Sequence, residues 1–523
     1  MKRLILTLLP LSLGTAAEAQ SWNENFQNQP HNLRYESLSP TRLSYNPQQD
    51  FAVAKGSYQL QKGDFHAIDQ SGDAHLMDVY IGGLRRVKQF SLSGHISYSN
   101  RKDNDQSWNS TLWNLADNPY TLCDSVPGDA TTEAFDMQAA AAYDFAGGLK
   151  VGLSIGLRTG SRADQNDPRP RTVTSLLPIT VGADYRIADS WHVGLAAGVR
   201  LSSSVIEYTS VQTTRVFRYF LMKGMGDYAK RTSADEPGYK RDYQGNGYLG
   251  ALSATWQPDG GAVANHLELS AEANNEEATD GGTSYSFHGG DYAETVLALK
   301  DRLQLKSGAA LHNLTLRAAY TNGKGTWYDQ KRQTDIEHGS IAYYDVLSQY
   351  TNHKTQRLDA SLRYQFDLLG SDDRRNLFVS AEAALGSITR KQLLGETTPK
   401  QQIQTIAAQI EAGKVLYINK VTLLAQLSGG YRTPQKQTYA SGSVYSGEDN
   451  IDGDFTRRVF EYESAQCWHV GALADASMPV GTSISAGLYA KCRYQRYTGK
   501  NEYWQSYDGT GLTTADFGIY IKF

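Results

Sequence analysis

Residues 177–201 read "LPITVGADYRIADSWHVGLAAGVRL". Leu177, Ile179, Val181, Ala183, Tyr185 and Ile187 take every second place, then, across the tight Ala188-Asp189-Ser190 turn, so do Trp191, Val193, Leu195, Ala197, Val199 and Leu201. A period of two puts all twelve on one face of an antiparallel hairpin and leaves Asp184, Arg186 and Arg200 on the other. Each strand is about a dozen residues long, which when tilted matches the hydrocarbon thickness of a bilayer, and Tyr185 and Trp191 stand beside the turn where a headgroup layer would lie.

The same pattern recurs along the chain, as in Leu149 to Leu157, Leu358 to Phe366, Leu377 to Leu385, Val421 to Leu427 and Ile484 to Tyr494. Connections alternate in length. Short turns fall near 84–88, 146–148, 188–190, 258–262, 306–308, 370–374, 415–419 and 479–482; long polar stretches fall near 61–74, 101–132, 160–172, 206–245, 274–292, 322–354, 388–400, 432–462 and 496–510. This predicts a closed antiparallel transmembrane β-barrel of about eighteen strands, with short periplasmic turns and long extracellular loops. Sixteen strands follow instead if 209–222 is loop and the segment around Asp301, which sets a charge on the face of Leu297, Leu299, Leu303 and Leu305, is not wall. Closure is physically demanded, because a strand edge in lipid leaves backbone groups unpaired at several kcal/mol each.

The first nineteen residues, with Lys2 and Arg3 before a short apolar run and Ala17-Glu18-Ala19 at its end, predict a cleavable signal peptide. Residues 20–47, with Pro30, Pro40 and Pro47 among polar residues, are either a periplasmic tail or a small lumen insert, the tail being the simpler reading; the barrel occupies 48–523. A net charge of −4 and the lack of a basic tract exclude a nucleic-acid partner. Three cysteines in 523 residues exclude a disulfide scaffold, and the opposite parities of Cys467 and Cys492 on neighbouring strands argue against their pairing. No G-x-S-x-G, H-E-x-x-H or C-x-x-C motif points to an enzyme, and nothing calls for a cofactor.

At the C-terminus, Asp516-x-Gly518-x-x-Ile521-x-Phe523 resembles the β-signal of Gram-negative outer-membrane barrels. The resemblance implies an outer-membrane location, contact with bilayer lipid and lipopolysaccharide, and recognition of the last strand by the periplasmic barrel-assembly machinery. The chain departs from the TonB-dependent receptors of that membrane, which have a large N-terminal plug domain and about twenty-two strands.

Inward parity marks Arg158, Arg186, Arg200, Arg363, Glu382, Lys491 and Arg493 as candidates to line a water path and select solutes; the competing reading pairs them across strands as interior fill. Phe217, Tyr219, Leu221 and Met222, in "RVFRYFLMKGMGDYAKR", are poor residues to leave in water and are gate candidates. Glu448, Asp449, Asp452 and Asp454 approach a calcium loop, but Val459 stands where the bidentate Glu belongs, so a solvated loop is the simpler reading. The expected function is porin-like passage of small polar solutes. The alternative is a plugged, non-conducting barrel that binds a surface partner, with a barrel-embedded hydrolase third.

Overall fold

The computed structural model describes residues 32–46, 50–235, 238–281, 286–337, 341–371, 373–393, 398–440, 449–482, 484–499, 507 and 509–523. The expected signal peptide, Glu448 and residues 500–506 and 508 of the long stretch 496–510 lie outside the described residues. Among those described, eighteen antiparallel strands form one closed meander. Each pairs with its chain neighbours, and the first, Phe51–Gly63, also pairs with the last, Gly511–Lys522, from Val53 opposite Lys522 to Gly63 opposite Leu512. Beyond that register Phe523 N–H donates to the Ala52 carbonyl at 2.9 Å.

The alternation read from 177–201 is the alternation of the wall. Leu195 is 55% exposed on the outer surface whereas Asp184, on the same hairpin, is 2% exposed inside. Outward residues meet lipid, so exposure here is burial in hydrocarbon. The girdle is present too: Phe145, Tyr185, Trp191 and Tyr364 are exposed at the short-turn end, and Tyr143 packs edge-on against Phe90 and Phe145. The turns at that end run from two to six residues.

The opposite end departs from the expected loop lengths. Several stretches read as loop continue as strand, most of all 322–354, of which 322–335 and 341–354 form the upper part of the hairpin Ala310–Asp335 and Ile341–Leu369. Polar strand residues above the membrane lack the lipid-facing alternation, so their sequence reads as loop. The sixteen-strand alternative fails, since the segment around Asp301 is wall, where Asp301 accepts from the Asn265 amide at 2.8 Å. Residues 209–222 supply no wall strand beyond Thr209; 210–217 are in no strand, and 218–222 belong to a separate three-stranded sheet inside the barrel.

The tail reading of 20–47 does not hold for 32–46. Arg34 pairs with buried Asp184 at 2.8 Å, the Glu36 carboxylate accepts from Nε and Nη2 of Arg317, and Glu268 accepts from Ser37 Oγ at 2.6 Å and from Leu38 N–H at 3.1 Å. A 3-10 turn, Pro40–Tyr45, capped by Ser39, lies on the inner wall. Gly152 and Gly182 make room for it: a Cβ on Gly152 would stand 2.8 Å from the backbone of Pro40 and Thr41, and one on Gly182 would strike Ser39 Oγ. Burial alone would raise the Glu36 carboxyl, but the Arg317 partnership outweighs it and holds it down at about 2. Sequence alone hides this insert because its wall partners lie up to 281 positions away.

Cys467 is buried, Cys492 is exposed, and both are free.

Closure of the cylinder rests on the seam between the first and last strands. Deleting Phe523 removes both of its backbone bonds to Ala52 and one outward aromatic, so folded, heat-modifiable barrel in outer-membrane fractions should fall severalfold while periplasmic export is unchanged. Unchanged barrel yield would show that the seam does not need the residue.

Candidate functional site

Three long connections, described over 107–127, 210–235 and 449–466, turn into the barrel and meet there. Hairpin strands Arg218–Gly224 and Asp227–Thr232 add Leu122–Cys123 as a third strand, with Leu221 opposite Leu122 and Phe220 opposite Cys123. Alternation gives this small sheet two apolar faces. Tyr219 and Leu221, with Leu122, pack on Ile206, Tyr208, Tyr239 and Tyr243 of the wall; Phe220 and Met222 pack with Trp108, Cys123 and Ile451. All four gate candidates, Phe217, Tyr219, Leu221 and Met222, are at most 3% exposed. Their apolar surface is removed from water by the other loops, which is the main drive for the loops to fold inward.

The assembly sits at the extracellular end of the lumen. On strand Trp191–Thr209 the exposed apolar residues run from Trp191 to Leu201, a tilted rise of about 25 Å that matches the apolar band. Ile206 and Tyr208, which carry the small sheet, lie beyond it. At its far end the Lys223 carbonyl accepts from Gln392 Nε2 at 3.1 Å and Asn352 Nδ2 at 3.4 Å, so the hairpin bridges the lumen from strands 191–209 and 238–256 to strands 341–369 and 375–392. We call the three-loop assembly the stopper.

Residues 107–127 form its centre, and polar contacts pin them to the wall. Arg357 grips the Asp117 carboxylate through Nη2 at 2.7 Å and Nε at 3.0 Å, and Arg390 reaches it at 3.5 Å. Arg390 also donates to Glu463 at 2.9 Å, at the end of helix α1 (Arg457–Glu463) in the third loop. Two loops are thus clipped to two adjacent strands through four charged side chains. Asn118 donates to buried Glu276 at 2.6 Å, and the Tyr120 carbonyl accepts from the Tyr243 hydroxyl at 2.8 Å. Gly290, at φ +112°, lets the Tyr120 ring approach the wall, for a Cβ there would lie 2.5 Å from it. Tyr208 hydrogen-bonds Ser110 at 2.6 Å and donates to Asp124 at 3.2 Å. Burial pushes the Asp124 carboxyl up to about 7, against the lowering pull of its bonds from Val126 N–H and Tyr208.

The lumen candidates do not share one constriction. Arg158 lies over the Trp113 ring at 4.0 Å and within 3.7 Å of Asp136. Arg363 donates to Glu411 at 2.8 Å and lies 4.0 Å from Glu382. Arg200 stands beside Gly247. Arg186 lines a cavity of about 520 Å³ at the short-turn end with Lys150, His192 and Asp189. Exposed Lys491 stands in register with Asp516, and half-buried Arg493 with Thr514, on the last two strands. In the C-terminal motif Asp516 accepts from the Tyr489 hydroxyl at 3.2 Å, Gly518 leaves space for that tyrosine's ring, and Ile521 and Phe523 are exposed on the outer face.

Within the acidic run Asp449 is the hairpin's counter-charge. Asp449 pairs with Arg218 at 2.5 Å and Lys230 at 3.2 Å, and Asp452 with Arg457 at 3.2 Å. Asp454 stands in the short π-helical turn Asp452–Thr456. Cations that already occupy two of these carboxylates oppose the calcium-loop reading, and among the described residues no three His, Cys, Asp or Glu side chains are placed to hold a metal ion.

A family model matches residues 40–523. The chain belongs to the family of unknown function DUF6850. No curated protein matches this DUF6850 member. Among solved structures it is similar to the siderophore receptor PiuA from Acinetobacter baumannii (10% identity, 91% of this chain and 82% of that chain, TM-score 0.40). It is also similar to the copper transporter OprC (9%, 89% and 80%, 0.40) and the CymD monoaromatic hydrocarbon channel (10%, 94% and 92%, 0.31).

Two outcomes test the stopper. Asp117→Asn leaves Arg357 and Arg390 without their shared charge and should weaken docking of 107–127 by about 1–3 kcal/mol, read as a rise in the mobility of a spin label at exposed Ala116; an unchanged spectrum would show that the clip carries no energy. The raised carboxyl of Asp124 gives docking a pH dependence. The docked loop binds that proton more tightly than the undocked one, so docking is strongest below about pH 4 and weakens as pH rises to about 7. Asp124→Asn should flatten the profile, and an identical slope in both proteins would assign it elsewhere.

Proposed function

We propose that this outer-membrane barrel passes small polar solutes along a lumen that the stopper closes at rest. The observation that carries the reading is the clip of Asp117, Arg357, Arg390 and Glu463. It joins two of the barrel's own loops to the wall through side chains that are each 4–24% exposed, so water already reaches part of the network. Charges released into an aqueous lumen regain their hydration, so undocking here costs less than separating a dry apolar core of the same size. The lumen below carries inward side chains of both signs, which suits polar cargo better than oily cargo.

The alternative, a plugged barrel that binds a surface partner, draws on the dry centre of the stopper, where Tyr219, Leu221, Leu122 and Cys123 are fully buried. That centre must move as a unit for a path to open. Flux separates the two readings. In planar bilayers the intact protein should conduct only in brief events, Asp117→Asn should lengthen them, and removal of 216–235 together with 109–125 should give a steadily open pore. A folded double-deletion protein that conducts nothing, and does not swell sugar-loaded liposomes, would leave the surface-binding reading in its place.

A further inference from the structure

The outer edge of the stopper carries a charge arrangement that closure does not require. Segment 215–231 holds five basic side chains, Arg215, Arg218, Lys223, Lys230 and Arg231, and one acidic, Asp227, in a chain whose net charge is −4. Lys223 and Asp227 pair at the turn, 3.3 Å apart. The other four lie toward the open end of the hairpin, away from the turn. Two of them stand on one face of the two-stranded ribbon, Arg218 opposite Thr232 and Lys230 opposite Phe220, and both converge on the single carboxylate of Asp449. Arg218 holds Oδ1 at 2.5 Å and Lys230 holds Oδ2 at 3.2 Å, one cation on each oxygen.

Exposure is uneven among the three. The Asp449 side chain is 7% exposed, whereas Arg218 is 47% and Lys230 31% exposed. The acid is therefore enclosed by its cations while the cations remain open to solvent. A guanidinium and an ammonium set on either side of one carboxylate are also suited to a phosphate. The acid that fills the place is tethered to the third loop. Two residues on, Ile451 packs with Phe220 and Met222, and Phe455 stacks on Trp108 at 5.4 Å, with Trp108 in turn stacked on Phe220 at 5.5 Å.

We infer that Arg218 and Lys230 form an anion site for a solute bearing a phosphate or carboxylate group, which Asp449 fills at rest. An arriving anion exchanges with Asp449 at nearly constant local charge, and release of the acid removes the ionic tie between the third loop and the hairpin, leaving the apolar contact of Ile451. Ligand arrival and loosening of the stopper are then one event. The assignment of this anion as the transported cargo rests on the proposed function; the site itself does not.

Trp108 lies between the two loops and reports their separation. The experiment titrates the full-length refolded barrel with inorganic phosphate and with citrate, against chloride at matched ionic strength, and takes the Trp108 signal as the difference from Trp108→Phe. A saturable response beyond that of chloride is expected. Asp449→Asn should tighten the apparent affinity about tenfold by weakening the internal competitor, Arg218→Gln and Lys230→Gln should each remove the response, and Lys230→Arg should keep it. A second arm places the protein in neutral-lipid nanodiscs with or without lipopolysaccharide. Saturation by the soluble anions assigns the site to a solute, and a response to lipopolysaccharide alone assigns it to a lipid headgroup and overturns the solute. A response equal to chloride, indifference to the Arg218 and Lys230 changes in protein that Lys230→Arg shows to be folded, or an unchanged affinity in Asp449→Asn overturns the site. Binding is read here without flux, so a barrel that binds phosphate and never conducts removes the passage reading alone.

Discussion

Hydrocarbon offers no hydrogen-bond partner, and the rest of the structure depends on that fact. Every wall N–H and C=O must pair within the sheet, so the sheet closes, and the last strand is seated on the first from Val53 to Gly63. Closure at this strand number creates a space too wide for wall side chains to fill. What occupies that space is decided by the chain's own remaining segments. At the short-turn end residues 32–46 lie on Asp184, Glu268 and Arg317; at the other end three loops converge. The two fillings use different physics. The insert is held chiefly by ion pairs and by glycines that clear its path, whereas the stopper has an apolar centre with an ionic margin.

That margin matters because of where it sits. The apolar centre behaves like any small core, since Tyr219, Leu221 and Phe220 leave water together or not at all. The charged side chains around it face a lumen in which they can be hydrated again. A stopper built only of apolar contacts would be hard to displace, and one built only of salt bridges would be leaky. The observed division, with the core on strands 191–209 and 238–256 and the clip on strands 341–369 and 375–392, allows one edge to release while the other holds.

The wall was legible because lipid imposes a period of two on the sequence, and 177–201 displays it without interruption. Strand number, turn positions and the inward parity of Arg158, Arg200 and Arg363 followed from it. Loop lengths did not, because polar strand extensions above the membrane face water on the outside and carry no such period, as in 322–354. The gate candidates were visible as apolar residues with no membrane to enter. Residues 107–127 carried the same signal, with Trp108, Leu112, Trp113, Leu115 and Tyr120 in a long loop, yet read as ordinary extracellular chain. Their partners, Glu276, Asn352, Arg357 and Arg390, are set by the closed fold and not by spacing. For the same reason the acidic run read as a solvated loop, whereas Arg218 and Lys230 lie upon Asp449.

The central claim is that the stopper shuts the lumen and moves aside from the strands that clip it. It is tested most directly by single-channel recording of a protein whose Cys123, Cys467 and Cys492 are replaced by serine and which carries cysteines at Lys223 and Gln392, the residues whose amide–carbonyl contact bridges hairpin and wall. Oxidised, the tethered protein should show no openings, and reduction in the same bilayer should restore them. Equal conductance before and after reduction, or none in either state, would contradict the account.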